Sequence, residues 1–137
     1  MVMFVYDAKH KSQLDYWDSH PLVIPFGEDA ETFIGINCHY APPMARAFIF
    51  DQIMKTMNIT TLDENSKIRL TYRRLQRIAA FRYFAPLIHR YRKDHVRSKF
   101  VHIPVDQWQT ALFLPTANWQ KANARTVYAD YRRKTKK

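Results

Sequence analysis

Residues 64–99 read ENSKIRLTYRRLQRIAAFRYFAPLIHRYRKDHVRSK. Eleven Lys/Arg stand in this stretch against two acids, Glu64 and Asp94. Up to Ala80 the apolar residues recur every three or four positions, the period of an amphipathic helix. Ile68, Tyr72, Leu75 and Ala79 share one expected face. Arg69, Arg73 and Arg77 follow another at i, i+4 spacing. Asp63 stands where a helix N-cap belongs. Pro86 lacks an amide donor and clashes with the preceding turn, which predicts a break near Phe84 and Ala85. A second helix is expected from Pro86, with Leu87, Ile88, Tyr91 and His95 inward and Arg90, Lys93 and Arg97 outward.

Upstream the chain reads as strands. Val2–Asp7, Leu14–Trp17, Pro21–Phe26 and Thr32–Tyr40 are short, apolar and rich in β-branched or aromatic residues. Prolines at both ends of PLVIPF predict strand ends or a sheet edge. Alternation through TFIGINCHY puts Phe33, Gly35, Asn37 and His39 on one face. It puts Ile34, Ile36, Cys38 and Tyr40 on the other, the better core candidate. Gly35 predicts a bulge or a close backbone approach. Pro42 and Pro43 stop this strand and suit the first turn of a helix over Met44–Met57. Ala47, Phe50 or Ile49, Ile53 or Met54, and Met57 are its expected buried positions.

Downstream, Lys99–Ile103 suits a short strand, Val105–Leu112 a helix, and Thr116 the cap of another through Lys121. Thr126–Ala129 is expected to be extended, and the tail YRRKTKK to fray unless a partner holds it. The fold class that follows is α+β: a small, mainly antiparallel N-terminal sheet packed against a C-terminal layer of helices. One domain of 137 residues is expected, β-rich and acidic over residues 1–41, helical and basic over residues 42–137.

Charge is divided along the chain. Residues 1–63 hold four Lys/Arg and eight Asp/Glu, and residues 64–137 hold eighteen and four. The net +10 therefore arises from a −4 half and a +14 half. Such separation predicts attraction to a polyanion or to an acidic protein surface. The candidate phosphate contacts are Arg69, Arg73, Arg77, Arg90, Lys93, Arg97 and Lys99, with Arg132, Arg133 and Lys134 as an electrostatic arm. No base-reading motif accompanies them, so contact independent of sequence is expected. Tyr72, Phe81, Tyr83, Phe84 and Tyr91 are threaded between the cations; at helical spacing most are expected in the core.

Catalysis is the least supported class. The six histidines and Cys38 lack any CxxC, HxxxH or HExxH spacing, so neither a metal nor another cofactor is expected. Cys38 and His39 are strand neighbours that point apart, which disfavours a nucleophile pair. The N-terminal carboxylates fit solvated turns better than a divalent-metal site. One cysteine permits no internal disulfide and fits a reducing compartment. No run of about 20 apolar residues exists, so no membrane span is expected.

YDAKHK (6–11), YWDSHPLVIPF (16–26) and FIGINCHYAPPMARA (33–47), with RYFAPLIHRYRKDHVRSKF (82–100), WQTALFLP (108–115) and VYAD (127–130), resemble a family of small proteins from large contractile-tailed phages. That family reads approximately YDxK, LPYYD, PLVxP and GLNxHYLPP. The chain departs from it at Trp17, Asp15 and Tyr131. The resemblance carries over no catalytic residue. It implies a phage protein made in the host bacterial cytoplasm and possible in the virion. The expected function is non-enzymatic binding of nucleic acid, with DNA ahead of RNA. Two alternatives use the same basic face: a virion structural or assembly subunit of neck, tail or baseplate, and a small regulator bound to an acidic host protein.

Overall fold

A hairpin of β2 (Leu22–Glu28) and β3 (Thr32–Asn37) lies at the centre of the molecule. It is seen in a computed structural model that describes residues 1–7, 20–104, 107 and 124–135. The acidic GEDAE segment makes its turn. The Asp29 carboxylate accepts the amides of Glu31 and Thr32 at 2.9 and 2.7 Å and the Thr32 hydroxyl at 3.0 Å. An aspartate is well suited to closing such a turn through its own backbone neighbours.

β1 (Val2–Met3), β4 (Ile88–Arg92) and β5 (Val101–His102) complete an antiparallel sheet in the order β4-β3-β2-β1-β5. The helices are α1 (Pro43–Met57), α2 (Glu64–Ala80) and α3 (Ala124–Thr135). The class is α+β, as the sequence predicts. The larger core joins Ile24 and Ile36 of the sheet to Ala45, Ile49 and Ile53 of α1, Leu75 and Ile78 of α2, and Val127 of α3.

The opposite sheet face is buried as well. Phe4, Phe33 and Tyr91 meet there with ring centroids 5.3–5.5 Å apart, beside Val2 and Val23. The expected division of β3 into a core face and a second face is therefore half of the truth. Ile36, Cys38 and Tyr40 are buried, and so are Phe33, Asn37 and His39.

Several expectations are corrected. Pro25 does not end its strand, which runs on to Glu28. β1 pairs only with Leu22 and Val23, so Pro25 has no β1 partner and lies on a local edge of β2, as expected, next to a bulge between Pro25 and Gly27. On α1, Ile49 and Ile53 are buried as expected, but Ala47 is exposed and Met57 half-buried, their places on the buried side taken by Ala45 and Thr56. On α2 the buried residues are Leu75 and Ile78, while Ile68 and Tyr72 are 49% and 42% exposed.

The helix expected after Pro86 does not form. Arg82–Leu87 makes a 3-10 turn, Ile88–Arg92 pairs with β3, and Lys93–His95 makes a second short turn. Leu87 and Tyr91 remain buried and Arg90, Lys93 and Arg97 exposed, as expected. A spacing of four keeps two residues on one side of a helix and of a strand alike. The strand expected over Lys99–Ile103 is present as β5. Thr126–Ala129 is helical, not extended, and α3 continues through the first five residues of the tail to Thr135. The elements expected over residues 14–17, 105–112 and 116–121 fall outside the described residues, apart from Gln107.

Gly35 meets the predicted close approach. A Cβ built there would lie 2.8 Å from the Ile24 carbonyl oxygen and collide with Val23 Cγ1. Backbone of the middle strand cannot move aside without breaking its ladder. Gly35→Ala is expected to lower stability by about 1–3 kcal/mol, read as a lower urea midpoint with unchanged slope.

Candidate nucleic-acid interface

Helix α2 begins where the Asp63 carboxylate accepts the Ser66 amide at 2.7 Å. This N-cap holds the Asp63 carboxyl below its ordinary value and fixes the phase of the helix. Leu75 and Ile78 then face the core, and Arg69, Arg73 and Arg77 are all exposed on the far side. Successive members of that stripe are about 6 Å apart along the axis, and the whole spans about 12 Å. Among the described residues none of the three has an acidic partner within ion-pair distance. Arg74, one position off the stripe, turns inward and donates to the Gln52 carbonyl at 3.2 Å, joining α2 to α1.

The other predicted cations behave differently. Arg90 lies 3.5 Å from Asp29 and donates to the Thr32 hydroxyl at 2.7 Å. Lys93 holds Glu28 at 2.8 Å and the Asp29 carbonyl at 2.7 Å. Arg97 lies 3.6 Å from Asp7 and donates to the Asp94 carbonyl. Arg92, which was not predicted, grips Asp94 through two bonds of 3.1 and 3.0 Å. On α3, Arg133 and Lys134 both reach Asp130. Lys99 and Arg132 are exposed and outside these pairs. Among the described residues the ten predicted contacts thus divide into a stripe on α2 and two further cations without an acidic partner, and five whose charge is engaged by an acid of the same chain.

These pairs depress the carboxylates concerned. Lys134 and Arg133 lower Asp130, Arg92 lowers Asp94, and the Thr32 and Glu31 amides lower Asp29. Each folded-state value is below its unfolded one. The stabilisation is therefore complete above about pH 4 and is lost as pH falls through the lowered values.

The aromatic residues between the cations are less buried than expected. Phe84 and Tyr91 belong to the cores, but Phe81 and Tyr83 are 61% and 53% exposed, like Tyr72. Phe81 is the first residue after α2, where the helical face that would have buried it no longer exists. Phe81 and Phe48 of α1 open onto a cleft of about 420 Å³ between the two helices, also lined by Gln52, Lys55, Arg74 and Arg77. Sequence reasoning missed Phe48 and Lys55; no local pattern marks two helices that meet at their outer rims. A second hollow of about 580 Å³ is lined by Phe26, Phe33, Tyr72 and Phe100, but its Lys93 and Glu28 neutralise each other.

Cys38 is buried, and burial pushes its thiol up to about 12, far from a reactive thiolate at neutral pH. Among the described residues no three His, Cys, Asp or Glu side chains are grouped to hold a metal ion. No described helix is long and apolar enough to cross a membrane.

The structure is thus a small antiparallel α+β protein whose exposed arginine stripe on α2 has no acidic partner among the described residues. Residues 1–132 match the model of the family described as phage T4 terminal DNA protecting protein, and the chain belongs to that family. This agrees with the resemblance to proteins of contractile-tailed phages. No curated protein and no solved structure matches the chain.

Urea midpoints measured from pH 7 to pH 3 should hold steady at first and then fall below about pH 4. Asp29→Asn and Asp130→Asn should each flatten that acid limb. An unchanged limb in both variants would show that these carboxylates are not held as described.

Proposed function

We propose that this chain is a non-enzymatic protein that binds DNA ends through the outer face of α2, acting in the bacterial host or in the virion. The observation that carries this reading is the stripe Arg69, Arg73 and Arg77, exposed and without acidic partners among the described residues. Three cations about 6 Å apart along one helix face can reach several phosphates of a nucleic-acid backbone, which carries one charge per about 3.4 Å of axis on each strand. Arginine suits phosphate because its planar fork presents paired donors. Lys99 and Arg132 are further exposed cations outside the described ion pairs. The description of the family, a terminal DNA protecting protein, supports DNA as the partner and its ends as the target. Contact with the backbone alone explains how a chain with no recognisable base-reading motif would act on ends of any sequence.

Binding is then dominated by counterion release and falls steeply with salt. Substituting Arg69, Arg73 and Arg77 together by alanine should weaken binding equally across DNA sequences. It should also lower the slope of log affinity against log salt by about 2–3. Lys93→Ala should cost less, since that ammonium is already held by Glu28 at 2.8 Å. Gel-shift titrations at two salt concentrations test this. Affinity that is absent at low salt, or indifferent to salt, rules the reading out.

A further inference from the structure

We propose that the cleft between α1 and α2 receives one unpaired nucleotide at a DNA end, with its base stacked against Phe81 and Phe48 and its phosphate on Arg77. This deepens the DNA-binding reading and rests on it. Arg77 belongs to both features: it is the last arginine of the exposed stripe and it lines the cleft. A strand following the stripe toward its end therefore arrives at the two rings.

The chemistry of the lining selects the occupant. Phe81 is 61% exposed and makes no ring contact with another described aromatic. Phe48 is 44% exposed and is braced from behind by Phe84, with ring centroids 5.6 Å apart and planes 23° from parallel. One exposed phenylalanine needs no explanation, but two opening onto one cleft beside cations make the composition of a base-stacking platform. Lys55, Arg74 and Arg77 line the cleft and, among the described residues, no acid does, which disfavours a cationic ligand and suits an anionic one. Lys55 pairs with Asp51 at 3.1 Å, both side chains more than half exposed, a contact weak enough to yield to a phosphate. Gln52 adds an amide donor and acceptor for a base edge. About 420 Å³ is within the size of small-ligand sites. A base inside a duplex has both faces covered by its neighbours, so a ring platform can engage only one that is unpaired or frayed.

Fluorescence anisotropy of the full chain would compare a blunt duplex with the same duplex carrying one unpaired 3′ thymidine. The wild type should bind the overhang about 5- to 100-fold more tightly, the range expected for stacking one base. Phe81→Ala and Phe48→Ala should abolish that preference and leave the salt slope of binding unchanged; Phe81→Tyr should retain it. A 5-iodouracil at the unpaired position should crosslink to Phe81 or Phe48 on irradiation, located by mass spectrometry. Salt-dependent binding of both duplexes with equal affinity would overturn this proposal alone and leave the cleft to a protein partner. So would a preference that survives Phe81→Ala, or crosslinks confined to other residues. Failure of the wild type to bind either duplex would instead overturn the DNA-binding reading and this one with it.

Discussion

Strand β3 has two edges, and the backbone donors and acceptors of both need partners because its faces are buried on both sides. β2 supplies one ladder through the Asp29 turn. The other is supplied by Ile88–Arg92, recruited from 50 residues further along the chain. A helix in that segment would leave the second edge of β3 bare. The need to pair it fixes where α2 must end, places Pro86 in a short turn instead of a helix, and brings Tyr91 over Phe33 and Phe4. Asn37 then donates to the Tyr91 hydroxyl at 3.1 Å and accepts the His39 amide at 2.9 Å. The second of these bonds starts the turn Cys38–Tyr40 that leads into α1. Arg46 secures that junction by donating to the Ala41 carbonyl at 3.0 Å. Much of the GINCHY motif is accounted for by this one set of contacts.

The same pairing governs charge. An acidic half and a basic half, separate in sequence, are folded together when β4 lies beside the hairpin. Glu28 and Asp29 meet Lys93 and Arg90, and Asp7 meets Arg97. As exposed ion pairs these contribute little to stability. Their consequence is subtractive: they remove the β4 region from the strongly positive surface and leave α2 as its main carrier. β4 is also an edge strand, and its short length and exposed arginines discourage further strand addition.

Helix α2 consequently has two separate duties. Leu75 and Ile78 anchor it, with Arg74 bonded to α1, and Arg69, Arg73 and Arg77 are left to solvent. Its C-terminal end closes a cleft against α1 that puts two phenylalanines beside the last arginine of the stripe.

Local chemistry in the sequence determined the α+β class, the tight approach at Gly35, the start of α1 at paired prolines, the Asp63 cap, and the outward phase of Arg69, Arg73 and Arg77. Apart from the approach at Gly35, whose partners are on β2, each depends on residues within a few positions of one another. Only the tertiary structure decided that Ile88–Arg92 is a strand, because its hydrogen-bonding partner is β3 and lies far away in the chain. It alone decided which cations are free, since ion pairs form between segments that sequence keeps apart. It alone placed Phe81 and Phe48 on one cleft, because a meeting of two helix rims has no period in either helix. For the same reason it overruled the reading of Thr126–Ala129 as extended and of the tail from Tyr131 as frayed, the latter as far as Thr135: Val127 has an apolar core to dock against, and that contact holds α3 in place.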